Sequence, residues 1–96
     1  MKILYKEPNK KIEIKDIDGE LKTLQNLVGG YIETIPYKDN VIILLDEEGR
    51  LKDSQPNIIV PIYGDLVGNI VFIGVDGEDF TGLTDNQIEE ILNNIR

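Results

Sequence analysis

The sequence has 96 residues, of which 41% are hydrophobic, and it carries a formal net charge of −8. This length suits one domain spanning residues 1–96, with a core of Ile, Leu and Val. The chain has no His and no Cys, which excludes disulfides, thiolate metal sites and catalytic triads that need an imidazole or a thiol. No apolar run approaches the roughly 18 residues of a membrane span, so we expect a cytoplasmic protein without a membrane partner.

The acidic charge is concentrated in the second half of the chain. Residues 1–52 hold nine basic and ten acidic residues, whereas residues 53–96 hold eight acidic residues and only Arg96 as a base. An acidic surface repels nucleic-acid phosphates and suits a basic partner, although acidic charge also serves solubility alone. We therefore expect no direct binding to nucleic acid.

Four strands are predicted in the first half of the chain. Lys2–Lys6 and Lys11–Ile17 have the composition of two strands joined by a turn, and the second alternates as in a sheet with one solvated face. Tyr31–Pro36 and Val41–Asp46 form the next pair, with a hairpin-like connection at Asp39-Asn40. The strand starting at Val41 is apolar on both faces, which predicts a central position in the sheet.

A short helix is predicted between these two pairs of strands. Its apolar stripe follows at spacings of three and four residues and consists of Leu21, Leu24, Leu27 and Val28. Asp18 is the candidate N-cap. Gly29 and Gly30 are expected to end the helix, because glycine adopts the left-handed conformation found after a helix. Their place after the helix also argues against a phosphate cradle, whose glycines precede one.

The segment that follows the predicted strand Val41–Asp46 is expected to be largely irregular. Leu51 is expected to begin a short return strand, and Asp53–Asp65 is expected to be a loop because it contains Pro56, Pro61 and Gly64. The apolar residues of that loop must pack on the core, a partner or a ligand. Leu66–Val75 is predicted to be one long strand with a glycine bulge. After a turn at Asp76–Asp79, Phe80 is expected to fill the core.

A second helix is predicted over the last residues of the chain. Thr84 and Gln87 have the spacing of a capping box, and an apolar stripe follows at Ile88, Ile91, Leu92 and Ile95. The predicted fold is therefore α+β, with a small and mostly antiparallel sheet of about five strands and two helices in the order β-β-α-β-β-β-α.

The sequence offers little for catalysis or metal binding. Ser54 is the only serine and has no imidazole to activate it. The acidic stretches Asp46–Glu48 and Asp76–Asp79 lack the ligand spacing of a calcium loop and indicate solvated turns. We expect no enzymatic activity, no metal and no cofactor.

Candidate binding residues come from tyrosines and from the loop rich in proline. Tyrosine is common in binding surfaces because its ring is apolar and its hydroxyl is polar. We select the strand face that begins at Tyr31 and the apolar loop that ends at Tyr63. The candidate residues for binding a ligand or partner are Tyr31, Glu33, Tyr37, Pro56, Asn57 and Tyr63.

Motifs across nearly the whole chain resemble those of one protein family. They are Leu24-Gln25-x-x-Val28-Gly29-Gly30-Tyr31-Ile32-Glu33, Asn57, Val67-Gly68-Asn69-Ile70-Val71 and Asp76-x-x-Asp79-Phe80-x-x-Leu83-Thr84. The family consists of small proteins of unknown function from phages, plasmids and other mobile elements of Gram-positive bacteria. The resemblance implies an accessory protein of a mobile element that acts inside a bacterial cell, where such proteins often counter host defences.

Two modes of action suit such a chain, and a third role stays open. The protein could bind a basic host protein through its acidic half. It could instead sequester a small nucleotide signal in a pocket. The basic residues that could line such a pocket are Lys2, Lys6, Lys10, Lys11, Lys15 and Lys22. A structural role would use the apolar segment Ile58–Ile62 for assembly into a homo-oligomer. The charge asymmetry favours a protein partner.

Overall fold

The computed structural model describes residues 1–95. It contains two helices and eight strands. In chain order, the elements are β1 (Lys2–Lys6), β2 (Glu13–Asp16), α1 (Leu21–Val28), β3 (Ile32–Lys38), β4 (Val41–Asp46), β5 (Pro56–Val60), β6 (Gly64–Val67), β7 (Ile70–Asp76), β8 (Asp79–Thr81) and α2 (Asp85–Ile95). The predicted α+β class with an antiparallel sheet and two helices is confirmed.

Six strands form the main sheet, and every pairing in it is antiparallel. The strand order is β2-β1-β7-β4-β3, and β8 pairs with β7. The first part of β7 pairs with β1 and its last part with β8, and the amide of Leu83 binds the carbonyl of Lys2 at 2.8 Å. β4 lies between β7 and β3, so the predicted central position of this strand is confirmed.

The two helices cover opposite faces of the main sheet. On one face, buried residues of the sheet pack with Leu24 and Val28 of α1. On the other face, Phe72 and its neighbours pack with Ile88 and Ile91 of α2, and with the second sheet. Because both faces are covered, the central strands are apolar on both sides rather than alternating.

The two ends of α1 differ in how well the sequence predicts them. Gly29 has φ 90° and ψ 19°, and its amide binds the Gln25 carbonyl, as expected for a glycine that ends a helix. Asp18 is not the N-cap, because Glu20 occupies that position without a side-chain capping bond. The Asp18 carboxylate accepts the Glu20 amide at 2.9 Å and so closes a turn just before the helix.

The capping box at the start of α2 is confirmed in both directions. The Gln87 amide donates to Thr84 Oγ1 at 3.1 Å, and the Thr84 amide donates to Gln87 Oε1 at 2.9 Å. Two backbone donors without partners inside the helix are thereby satisfied. α2 has 11 residues, and no helix within residues 1–95 has the length and hydropathy to cross a bilayer.

The prediction of an irregular segment over Asp53–Asp65 is wrong. β5 and β6 form an antiparallel hairpin there, which is a second, two-stranded sheet. Pro56 opens β5, and Pro61 and Gly64 lie at the turn, where Gly64 has φ 76°. These residues therefore mark the ends of strands rather than a lack of strands.

Three further expectations, for the part of the chain after β4, need correction. Leu51 lies in a turn segment, residues 47–53, and starts no strand. The predicted strand Leu66–Val75 is divided into β6 and β7, because Gly68 adopts φ 76° and turns the chain between them. Phe80 lies in the additional strand β8. It does not fill the core as expected but is half-buried and packs against the core cluster that includes α1.

Candidate functional site

A buried carboxylate lies where α1, β4 and the turn segment 47–53 meet. The Asp46 side chain at the end of β4 is the one buried charged residue within residues 1–95, with 7% of its surface exposed. Its Oδ1 accepts the Glu48 amide at 2.9 Å and its Oδ2 accepts Lys52 Nζ at 2.8 Å. Lys52 Nζ also donates to the Gly29 carbonyl at 3.2 Å. The expected solvated turn is thus wrong for Asp46.

The contacts of Asp46 also set its protonation. Burial alone would raise the pKa of the carboxyl, but the hydrogen bonds from Lys52 and from the Glu48 amide hold this pKa below its ordinary value. The same contact with Asp46 raises the pKa of Lys52. Both groups are charged at neutral pH and satisfy each other, so they tie the turn segment to the end of α1.

Gly30 has a steric role at this junction. A Cβ atom placed on Gly30 would lie 2.7 Å from Asp46 Oδ1, closer than real Cβ contacts. Gly29 faces open space and needs its positive φ instead. The two adjacent glycines therefore serve different purposes, one conformational and one spatial.

Both polar atoms of the Asn57 side chain form hydrogen bonds within the protein. Its Nδ2 donates to the carbonyls of Lys6 at 2.8 Å and Gly68 at 2.7 Å, and its Oδ1 accepts Lys6 Nζ at 2.8 Å. Asn69 plays a similar part, since its Nδ2 donates to the Leu27 carbonyl at the end of α1. Both motif residues fasten one element to another, and in Asn57 both polar side-chain atoms are already hydrogen-bonded.

The six predicted site residues do not converge on one site. Tyr31 lies beside Gly30 and Lys52, whereas Tyr37 packs edge-on against Phe72 with ring centroids 5.3 Å apart. Pro56 and Asn57 line a cleft between β5 and the end of α2. Glu33 and Tyr63 line another depression together. This last pair joins the two stretches of chain that the sequence analysis selected.

The depression shared by Glu33 and Tyr63 is a groove of about 320 Å³. We call it the β3–β6 groove. It is lined by residues of β3, by the end of β4, and by β6 with the residue that precedes it. The turn segment 47–53 contributes Glu47, Arg50 and Leu51 to the lining. Arg50 donates from its guanidinium to the backbone carbonyl of Asp65 and so fixes the turn segment to β6.

Three exposed carboxylates line the β3–β6 groove. They belong to Glu33, Glu47 and Asp65, and none of them forms an ion pair with another group in residues 1–95. Over the same part of the chain, no cluster of acidic side chains is close enough to hold a metal ion. Among the described residues that line the groove, Arg50 is the one cation beside these carboxylates, so the groove is acidic.

Apolar side chains are exposed along the groove and at the hairpin tip. Leu51 is 83% exposed and Tyr63 is 43% exposed, and both line the groove. Next to Tyr63, Ile62 is 97% exposed and has φ 78°, a conformation that is unfavourable for a β-branched residue. The groove thus combines exposed acidic groups with apolar surface that the fold leaves in solvent.

Glu47, Leu51 and Asp65 line this site but are not among the residues predicted from the sequence. Asp65 fell at the end of a segment predicted to be a loop, and Leu51 was assigned to a strand. One signal was present, because Leu51 is a lone apolar residue among charged ones. The spatial meeting of the turn segment with the hairpin depends on long-range packing and has no local signature.

Comparison with known proteins gives one family. Neither the curated proteins nor the solved structures include a match to this chain. The sequence model of a family described as a domain of unknown function (DUF3846) matches residues 1–96. The match covers the whole chain, and the protein therefore belongs to this family.

Proposed function

We propose that this protein is a non-enzymatic binding protein that holds a basic segment of a partner protein in the β3–β6 groove. One observation carries the proposal: the groove places three carboxylates, which have no ion-pair partner within residues 1–95, beside exposed Leu51 and Tyr63. Carboxylates attract Lys and Arg side chains, and an exposed tyrosine and leucine supply contact area for an apolar residue between them. Such a partner would contain basic and apolar residues in one short segment.

The setting of this function follows from the resemblance to proteins of mobile elements. In that setting the partner is a basic protein of the bacterial host, and binding would inhibit a defence component inside the cell. Proteins that handle nucleic acid expose basic surfaces, and an acidic groove competes with nucleic acid for them. The net charge of −8 supports fast association with such a partner.

Sequestration of a nucleotide signal is the second candidate. Lys6 and Lys11 line a cleft of about 540 Å³ with an apolar floor formed by Ile12, Leu92 and Ile95. Lys6 Nζ, however, already binds Asn57 Oδ1 at 2.8 Å. Among the described residues that line the cleft, Lys11 is then the cation left to meet a phosphate. The β3–β6 groove therefore has the better support.

The proposal is tested by selecting random 12-residue peptides from a displayed library on the wild-type protein. Enriched peptides are then measured by fluorescence polarisation against Glu33→Lys/Asp65→Lys. A matched variant, Glu78→Lys/Glu89→Lys, changes two exposed acids outside the groove. Each variant moves the formal net charge from −8 to −4, because each replacement adds two charges.

We expect enriched peptides to be basic and to lose at least about tenfold in affinity with the groove variant, since charge pairs are lost and replaced by repulsion. The matched variant should weaken binding far less, and added salt should weaken binding to the wild type. Equal loss with both variants would mean that net charge alone attracts the peptides, and the proposal would be wrong. If nucleotides raised the melting temperature of the protein and no groove-dependent peptide were found, the second candidate would be favoured.

A further inference from the structure

The side of β3 that faces away from β4 is an open strand edge. β3 pairs with β4 along its length, and it pairs with no other strand in the part of the chain that the structure describes. Just before the strand, the Tyr31 carbonyl accepts the Glu47 amide at 2.9 Å, which extends the pairing with β4 on the inner side of β3. From Ile32 to Ile35, the outward amides and carbonyls have no further partner within residues 1–95.

Only one end of this edge is protected against added strands. Pro36 has no amide hydrogen to donate, and the pairing register shifts between Pro36 and Lys38, so the edge is interrupted there. Bulges, prolines and charges are common devices that stop strand edges from pairing with other chains. The remaining stretch from Ile32 to Ile35 carries one such device, the Glu33 carboxylate, and this charge discriminates between partners rather than excluding all of them.

The open edge lies along the β3–β6 groove. Glu33, Thr34 and Ile35 all line it. Ile35 belongs to the core cluster that includes Val60 and Leu66 of the hairpin, and because side chains alternate along a strand, Glu33 projects from the same face as Ile35. Every second side chain of a strand added beside β3 would project from that face too, towards Tyr63 and Asp65.

We infer that the groove takes its partner segment as an extended strand, paired through the backbone with β3 between Ile32 and Ile35. This inference rests on the proposed function and specifies its mode of recognition. Strand addition derives affinity from main-chain hydrogen bonds and specificity from alternate side chains. The segment that fits therefore has Lys or Arg at every second position, with apolar residues among them.

A second copy of this chain is a poorer occupant of the same edge. Each copy has a formal net charge of −8, and β3–β3 pairing would bring a Glu33 from each copy to one site. Like charges at close range across a strand pair are destabilising. A basic strand removes this repulsion, and charge thus selects the occupant.

The inference is tested on peptides enriched by the library selection. N-methylation removes one amide hydrogen at a time along the best peptide. If the peptide adds as a strand, every second methylation should weaken binding by roughly three- to tenfold or more, since each removes one hydrogen bond, and those between should have little effect. The in-between positions are the matched controls within the same peptide.

Hydrogen exchange of the protein supplies the second readout. In the free protein, alternate amides between Ile32 and Ile35 should exchange fast, and the bound peptide should protect them. Amides of β3 that are all protected in the free protein would contradict an open edge whatever the peptide does.

The outcomes separate the two proposals. Groove-dependent peptides with apolar residues at spacings of three and four, and with no alternation in the methylation scan, would overturn strand addition and leave the proposed function standing. A selection without any groove-dependent peptide would overturn both. A concentration-dependent dimer that protects the β3 amides without peptide would identify a second copy as the occupant.

Discussion

The two sheets of this protein use their apolar residues in different ways. In β7 of the main sheet, the five residues from Ile70 to Gly74 are all buried, and helices cover both faces. In the hairpin β5–β6, Val60 and Leu66 are buried but Ile59 and the tip residue Ile62 are exposed. β7 therefore buries its apolar side chains in the core, whereas the hairpin leaves part of its apolar surface in solvent.

The polar residues follow a different division, between groups bonded inside the fold and groups left open to a partner, and each sheet contains both kinds among residues 1–95. Asp46 is paired with Lys52, and Asn57 forms hydrogen bonds to the backbone and to Lys6. The polar groups of both side chains therefore have partners inside the protein. Glu33 and Asp65 in the β3–β6 groove have no ion-pair partner within residues 1–95. Groups that are already satisfied stabilise the protein, and groups that are left open are available to a partner.

The largest expected effect compares one core residue with one hairpin residue. Phe72→Ala should lower the free energy of unfolding by about 3–5 kcal/mol, because it opens a cavity at a fully buried site. Ile59→Ala, at a position that is 76% exposed, should change it by no more than about 0.5 kcal/mol. Urea denaturation measures both. Similar losses for the two variants would mean that the hairpin is as tightly packed as the main sheet.

A smaller effect separates a satisfied carboxylate from an open one. Asp46→Asn should lower the free energy of unfolding by about 1–3 kcal/mol, because the buried hydrogen bonds to Lys52 and Glu48 are weakened or lost. Glu47→Gln makes the same change of charge at the adjacent exposed position and should cost almost nothing. Urea denaturation at neutral pH gives both values.

The same pair of variants has a pH signature. The pKa of Asp46 is lower in the folded protein than in the unfolded chain, so its contribution is complete above about pH 5 and is lost as the pH falls through the folded value. The stability difference between the wild type and Asp46→Asn should therefore shrink in acid, whereas Glu47→Gln should follow the wild type. If the difference in unfolding free energy between the wild type and Asp46→Asn stayed constant down to pH 2, Asp46 would not stabilise the fold through a charged pair with Lys52.

The smallest expected effect is a gain in stability. Ile62→Asn should raise the free energy of unfolding by about 0.5–1 kcal/mol, since asparagine tolerates the positive φ and the isoleucine buries almost nothing. Ile59→Asn, in an ordinary strand conformation, is the control and should bring no gain. Thermal unfolding detects the difference. A loss at position 62 would show that its side chain supports the hairpin.

Local signals allowed much of the fold to be predicted. The reciprocal bonds of Thr84 with Gln87, and the left-handed Gly29 after α1, depend on residues a few positions apart. The hairpin is not predicted, because Pro56, Pro61 and Gly64 indicate interruptions of regular structure. In the fold these residues begin a strand or lie in the turn between the two strands. Asp18 was misplaced because an Asx turn before a helix and an N-cap use the same side chain.

The candidate site was harder to predict than the fold. Glu33 and Tyr63 were both selected from the sequence, but nothing local indicates that β3 and the hairpin lie side by side. Tyr37 and Asn57 were selected with equal reason and turn out to have partners inside the fold. Whether a polar residue is satisfied internally depends on residues far away in the chain, which the sequence alone does not bring together.

The short distance from Gly30 to Asp46 also has an evolutionary consequence. Any side chain at position 30 would meet the carboxylate at position 46, so neither residue can change without regard to the other. A relative with a larger residue at the first position would need a shorter one at the second, and would then lose the partner of Lys52. We expect these three positions to change together in related sequences, as a linked set rather than as independent sites.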